Sequence, residues 1–557
     1  MTESASRLAE GSAARSVPGP SRPARALERV LRVPTEVYVL VGLAVLTRFI
    51  WLTRPRSIIF DEVYFRDAAL RYKDSSYYFD PHPPLGKLIL AAWAKVVGVD
   101  AEHSAPDCTA SAGVVCPPIP PAALDPAVAL RVIPALAGAA LIVVFYYFLR
   151  ELGTGRKVAT LGAGLLLLDN ALTLESRLIL LDSMLLCFGM AAITVFLAAR
   201  RNTGRKHWGL LVTAAVLVGM CVSIKVTGLC VFGAIALVWL VTTIDGRVPW
   251  RRWSAQAAVL ALVPFLVFFT GYTVHNALLD NTGDGDRFMS ERFQATLKGN
   301  PLYDPKVSIG PIDSFKQMQK ATHEYEKALK DRTHPYQSDW KTWPVEKRSI
   351  YYYLGPDEGD GKHRYLYLIG NPVVWWGTLG GVALTLLGWL LAPGLFRPHR
   401  RRLGLLAVTY LGSYLPFMLI SRPMFLYHYF FPLMFSLAFA VYGIGILAGW
   451  VPNPGTLGTS DGSARPTVSR RPTVGKPAKR RRPGEVWKAM WVPRPVTPLP
   501  VESEESAWRF AGRGLAITYW AILTVALLTF LWFSPLTYGF ALSDGGLQDR
   551  MWLDSWR

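Results

Sequence analysis

Apolar runs of spanning length, separated by short polar turns, recur along almost the whole chain. They lie at 37–53, 127–149, 158–174, 179–199, 208–223, 227–244, 255–272, 372–391, 403–420, 425–450 and 514–533. Runs this long with so few charges predict transmembrane helices. The expected fold class is therefore an all-α polytopic membrane protein with about eleven spans. The stretch 84–99 is apolar at helical spacing but only about four turns long, which predicts an interfacial helix. Two long loops remain, 54–126 and 273–370. The second is rich in Tyr, Trp, Asp and Lys and is long enough to hold a small folded cap.

Charge adds an orientation. Basic residues collect after the second, fourth, sixth, eighth and tenth runs: Arg150, Arg156 and Lys157; Arg200, Arg201, Arg205 and Lys206; Arg247, Arg251 and Arg252; Arg397 and Arg400 to Arg402; Arg470 to Arg482. With the N-terminus in the cytoplasm, all five basic loops face the cytoplasm, as the positive-inside rule requires. The net charge of +20 then follows from topology and calls for no nucleic acid. The same alternation sets the loop 54–126, the turns at 175–182, 224–226 and 421–424, and the loop 273–370 together on the outer face. A scaffold without a site would scatter its polar groups over both faces.

The expected organisation is a disordered cytoplasmic tail (1–36), a membrane domain (37–450), a disordered basic cytoplasmic linker (451–506), and a last span with an outer tail (507–557). The tail is rich in Ser, Ala, Pro and Arg and has no apolar signal-peptide core, so the first run reads as a retained span. The linker is rich in Pro and charge and suits a solvated segment near anionic head groups. Cys187, Cys221 and Cys230 lie in apolar runs as small core residues. Cys108 and Cys116 share a Pro-rich loop and are placed for a disulfide if that loop lies outside the cell. No metal-ligand constellation of His and Cys is evident, although a divalent metal is not thereby excluded.

The candidate chemistry starts at Asp61 and Glu62, two adjacent carboxylates where the chain leaves the first span. Ionisable groups at such a boundary are costly, and a carboxylate within reach of a hydroxyl is the usual general base. The competing reading is a structural ion pair with Arg54, Arg56 or Arg66. Arg131, Arg177, Lys225, Arg422 and His428 lie at outer turns or span ends and are candidate partners for a phosphate. The competing reading is interfacial anchoring. His82, in Asp80-Pro81-His82-Pro83-Pro84, sits in a corner stiffened by proline.

These residues carry a resemblance. Asp61-Glu62 with the stretch from Tyr78 to Lys87 resembles the first outer loop of the protein O-mannosyltransferases. So do the stretches from His334 to Pro344, Tyr367 to Pro372 and Phe425 to Pro432, and Arg131 and the stretch from Arg177 to Asp182 fit the same family. The resemblance covers most of the chain from Val37 to Phe533. It implies a GT-C glycosyltransferase fold with the active site at the outer face of the plasma membrane. It implies mannose on a polyprenyl phosphate as donor, no further cofactor, and a Ser or Thr hydroxyl of an exported polypeptide as acceptor. Transfer would invert the anomeric carbon, with Asp61 as base and Glu62 in support. Arg131, helped by Arg177, Arg422, His428 or Lys225, would bind the donor phosphate. His82, Tyr336, Trp340 and Trp343 would meet the acceptor or the sugar. The implied partners are the donor lipid, a secreted polypeptide and the secretion translocon. The loop 273–370 is too short for the β-trefoil insert of the eukaryotic members, which implies a bacterial form. The rival within the same fold moves the sugar to a lipid or glycan. A transporter would instead place charges at the bilayer midplane and show paired broken helices, and neither pattern is present.

Overall fold

The fold was analysed in a computed structural model that describes residues 33–99, 126–246, 248–330, 332–452 and 504–557. Cys108 and Cys116, most of the N-terminal tail and most of the basic linker lie outside the described residues.

The expected runs form helices in the expected order. The chain opens with α1 (Thr35–Phe49), a short helix α2 (Glu62–Arg71) and α3 (Leu85–Val97). Then come α4 (Val132–Glu151), α5 (Arg156–Leu167), α6 (Asn170–Glu175), α7 (Asp182–Arg200) and α8 (Gly204–Val222). α9 (Leu229–Asp245) and α10 (Trp250–Leu278) precede the long loop, which contains α11 (Pro311–Ala328). The remaining long helices are α12 (Pro372–Leu391), α13 (Arg400–Tyr414), α14 (Phe430–Leu447) and α15 (Arg513–Tyr538). Among the described residues, 9 helices are long and apolar enough to cross a membrane. The first and third expected spans fall short of that length. α1 ends at Phe49, where the chain turns. The third breaks into α5 and α6 at Asp169, whose buried carboxylate caps α6 through Leu172 N at 2.8 Å and also accepts from Asn371 N at 3.0 Å and Trp375 Nε1 at 2.8 Å. A carboxylate buried in the bundle needs those donors, and the helix interrupts to supply them.

α14 is the axis of the bundle. All its residues but Ile444 and Leu447 are buried. The outer helices instead leave leucines bare, among them Leu262, Leu390, Leu391 and Leu528. An apolar exterior around a packed core is what lipid as solvent demands. Helix contacts are close where side chains are absent: a Cβ on Gly219 of α8 would stand 2.9 Å from Cα of Pro264 in α10. The expected interfacial helix is present as α3, closed by Gly98 in the left-handed conformation.

The fold class is as expected, and the long loop holds the small cap its length allowed: it carries strands β1 (Ile350–Asp357) and β2 (His363–Leu368), and the tail adds β3 (Ala541–Leu542). They form an antiparallel sheet in the order β1-β2-β3. β1 presses Ile350, Tyr351, Tyr352 and Tyr353 into the interior. This hairpin covers the turn between α1 and α2.

Candidate functional site

Asp61 and Glu62 are neighbours in sequence with opposite surroundings. Glu62 is fully buried. Its carboxylate accepts from Ile59 N at 3.1 Å, Ile179 N at 2.8 Å, Arg131 Nε at 2.7 Å and Arg131 Nη2 at 2.6 Å. Arg131 is equally buried and spends its remaining donors on the carbonyls of Leu52 (3.3 Å), Pro55 (2.6 Å) and Ser57 (2.8 Å). A guanidinium has five N–H donors, and every one is engaged. The sequence-based roles of these two residues are therefore corrected. Arg131 has no donor left for a phosphate, and Glu62 no lone pair in position for a substrate proton. Together they clamp the turn that carries Asp61.

Arg177 is corrected in the same way. It is buried and donates to the carbonyls of Arg48 (3.0 Å), Ile50 (2.6 Å) and Trp51 (2.7 Å), with its guanidinium 4.5 Å from the Tyr538 ring. It satisfies the orphan carbonyls at the C-terminus of α1.

Asp61 differs from all three. It stands at the N-cap of α2 without making a side-chain cap, and no described residue hydrogen-bonds its carboxylate. Burial pushes its pKa up to about 6, against the pull of Lys225 and with the push of Asp182 and Asp80. These three mark the ground it faces. Lys225 Nζ pairs with Asp182 Oδ2 at 2.6 Å and lies 5.1 Å from the Tyr427 ring. Asp80 accepts from His82 N at 2.6 Å and pairs with Lys87 Nζ at 3.1 Å, while Lys87 also donates to the His82 carbonyl at 2.7 Å. Burial raises the Asp80 pKa but Lys87 and His82 outweigh it and hold the group below the usual range. Burial lowers His82 to about 4, so its ring is neutral at pH 7.

A cavity of about 110 Å³ is lined by His82, Asp182, Lys225, Arg422, Tyr427 and His428. It shares Arg422, Glu326, Phe417 and Cys230 with a second cavity of about 1070 Å³. The larger cavity runs between α9 and α13, past Leu229, Leu237, Val408 and Leu419, under the polar face of α11. A small charged chamber thus continues into a large, mainly apolar groove. Arg422 stands at the junction, paired with Glu326 at 2.9 Å.

The expected phosphate partners thus divide: Lys225, Arg422 and His428 gather with His82, while Arg131 and Arg177 do not. The aromatic trio of the long loop sits elsewhere. Trp343 is fully buried, donates to Ser338 Oγ at 2.8 Å and stacks behind His428 at 5.9 Å. It can orient that imidazole but cannot touch an acceptor, which corrects its expected role. Trp340 packs on Tyr414 and Tyr336 on Tyr351, and neither lines either cavity. Among the described residues no three His, Cys, Asp or Glu side chains converge as a metal site. Asp182, Tyr427 and Glu326 were not predicted. Asp182 ends one stretch already singled out and Tyr427 lies within another, so their signal was present. Glu326 lies on an amphipathic helix whose sequence alone does not reveal which face meets the groove.

A helical bundle around a buried axis, with nine helices of spanning length among the described residues, is the architecture of a multi-pass membrane protein, and its fold is the GT-C glycosyltransferase fold. The structure of the Saccharomyces cerevisiae protein O-mannosyltransferase Pmt1-Pmt2 complex bound to the sugar donor has the same fold. Its TM-score is 0.71 at 18% identity, over 94% of this chain and 93% of that one. Residues 38–279 match the dolichyl-phosphate-mannose-protein mannosyltransferase family, and residues 311–454 match the C-terminal four-span region of protein O-mannosyltransferases. Dolichyl-phosphate-mannose–protein mannosyltransferase 4 of Candida albicans is 28% identical over 51% of this chain and 39% of its own length. Protein O-mannosyl-transferase 1 of Mus musculus is 31% identical over 49% of this chain and 38% of its own. The chain belongs to the protein O-mannosyltransferase family. The matches span about two-fifths of the length of these curated relatives.

Proposed function

We propose that the protein transfers mannose from a polyprenyl-phosphate-mannose to Ser or Thr hydroxyls of exported polypeptides, inverting the anomeric carbon. One observation supports this reading: the unbonded, half-buried Asp61 carboxylate lies within electrostatic reach of Lys225 and Asp182, which line a charged chamber that opens into an apolar groove. The groove suits a polyprenyl chain, and the chamber suits its phosphate and one sugar. Asp61 takes the proton of the acceptor hydroxyl as its oxygen attacks C1. The C1–O bond to phosphate breaks, and the charge on the departing polyprenyl phosphate is met by Arg422 and Lys225. The names of the family relatives support the same donor and acceptor.

The reaction takes place on the extracytoplasmic side of the plasma membrane. The alternation of basic loops supports this, with α1 and the α5–α6 pair counted as crossings. The secretion translocon is the natural neighbour of such a site, because acceptors must reach it unfolded. The test is incubation of membranes with polyprenyl-phosphate-mannose and either a Thr-rich peptide or a lipoglycan, followed by mass measurement. A peptide heavier by one hexose is expected. Transfer to the lipoglycan alone would refute the acceptor class, and no transfer to either would refute the donor.

A further inference from the structure

Asp61 owes its position to the residue before it. Phe60 has φ of 49°, in the left-handed region, where a bulky aromatic is an outlier. Such a conformation persists only when its surroundings over-determine it. The Glu62–Arg131 clamp fixes the chain on one side of Phe60. On the other side, its ring lies flat on Tyr352 of β1, with centroids 4.0 Å apart and planes inclined by 17°.

Tyr352 is itself fixed. It is fully buried, and its hydroxyl donates to Glu175 Oε1 at 2.5 Å. The other oxygen of Glu175 is buried and has no partner among the described residues. Glu175 ends α6, the short helix created by the break at Asp169. A line of contacts therefore runs from the interrupted third span, through the hairpin of the long loop, to the residue that aims Asp61. None of these side chains lines either cavity.

We infer that Tyr352 is a positioning residue for transfer: its ring holds Phe60 in the left-handed conformation that keeps the Asp61 carboxylate beside Lys225, Asp182 and Asp80, and Glu175 holds Tyr352. This rests on the reading of Asp61 as the base. Removing the ring lets Phe60 relax toward negative φ and swings the carboxylate away, while the donor groove is untouched. Misplacement of a reacting group by about 1 Å costs up to about a hundredfold in rate.

The test uses the full-length protein in detergent or nanodiscs, with polyprenyl-phosphate-mannose and a Thr-rich peptide. Tyr352→Ala is expected to lower kcat about tenfold or more and leave the donor KM within about twofold. Tyr352→Phe keeps the stack and loses only the hydroxyl that Glu175 holds, so its loss should be clearly smaller than that of Tyr352→Ala but not zero. Phe60→Ala should resemble Tyr352→Ala, and the double variant should be no worse than either, because both remove one contact. Wild-type kcat in Tyr352→Ala, additive effects in the double variant, or equal losses in the Phe and Ala variants would each overturn the inference. If Tyr352→Ala fails to fold, Phe60→Ala alone decides it by its split between kcat and KM. Asp61→Asn separates the two readings. If it stays active, the base assignment falls; if it is inactive while Tyr352→Ala and Phe60→Ala are normal, only the positioning inference falls.

Discussion

Asp61 and Glu62 share a peptide bond and almost nothing else. Glu62 belongs to a saturated corner in which four donors meet one carboxylate and Arg131 has no donor to spare. Asp61 has no hydrogen-bond partner among the described residues and stands within electrostatic reach of Lys225, Asp182 and Asp80. The difference teaches where each kind of carboxylate is used. A fully satisfied buried pair is structure; a desolvated carboxylate left without donors is the one proposed as the base.

Exchanging the two behaviours gives the largest expected effect. Asp61→Asn should lower kcat/KM by about two to four orders of magnitude, the usual worth of a general base. It should also leave the fold intact or more stable. The sign follows from linkage. The folded pKa is raised by burial, so at neutral pH ionised Asp61 opposes folding, and a neutral Asn removes that cost. A thermal melt in detergent should show the variant no lower than wild type. Active Asp61→Asn protein would remove Asp61 from the chemistry.

Glu62→Gln should do the reverse. Removing one partner of a buried ion pair costs about 3–5 kcal/mol, and here the other partner is a guanidinium with no water to turn to. Expression and melting temperature should fall first, and activity only in consequence. Arg131→Lys should fail equally, since an ammonium has three donors where five are used. A well-folded, inactive Glu62→Gln protein would return Glu62 to the catalytic side.

The pH profile sharpens the comparison further. If Asp61 is the base it acts when ionised, and kcat/KM should then fall about tenfold per pH unit below about 6 and level off above it. Lys225 pulls that pKa down, and losing it also frees the charge on Asp182. Lys225→Gln should therefore move the acid limb to higher pH. An unmoved limb would show that the titrating group is not Asp61.

Much of this was legible in the chain. The helix order and α3 as a short helix follow from apolar run length, and the cost of charge at a boundary singles out Asp61 as a candidate. The hairpin was legible too: Ile350 to Leu354 and Tyr365 to Leu368 are aromatic and aliphatic runs around a Gly-Asp-Gly turn, but a chain dominated by spans draws attention from eight residues of strand. The fates of Arg131 and Arg177 were not legible. An arginine near a span end serves a phosphate or orphan carbonyls with equal chemical logic, and only the positions of Leu52, Pro55, Ser57 and Trp51 decide. The break at Asp169 was hidden for a similar reason, because its donors, Asn371 and Trp375, are two hundred residues away in sequence.

The smallest expected effect concerns the junction of the two cavities. Glu326 holds Arg422 at 2.9 Å, and the two side chains are 34% and 28% exposed. A pair that open to solvent contributes at most about 1 kcal/mol. If the donor phosphate is met by Arg422, it has to take the place of the Glu326 carboxylate, so the pair opposes donor binding by that amount. Glu326→Gln should then lower the donor KM by no more than about fivefold, since 1 kcal/mol is about that factor at room temperature. The melting temperature should not change. Release of the spent polyprenyl phosphate should slow by a comparable factor, because the group that reclaims Arg422 is gone. Competition by polyprenyl phosphate measures this directly: it should inhibit Glu326→Gln more strongly than wild type. Equal inhibition of both would place the phosphate away from Arg422 and leave Lys225 as the cation that meets it.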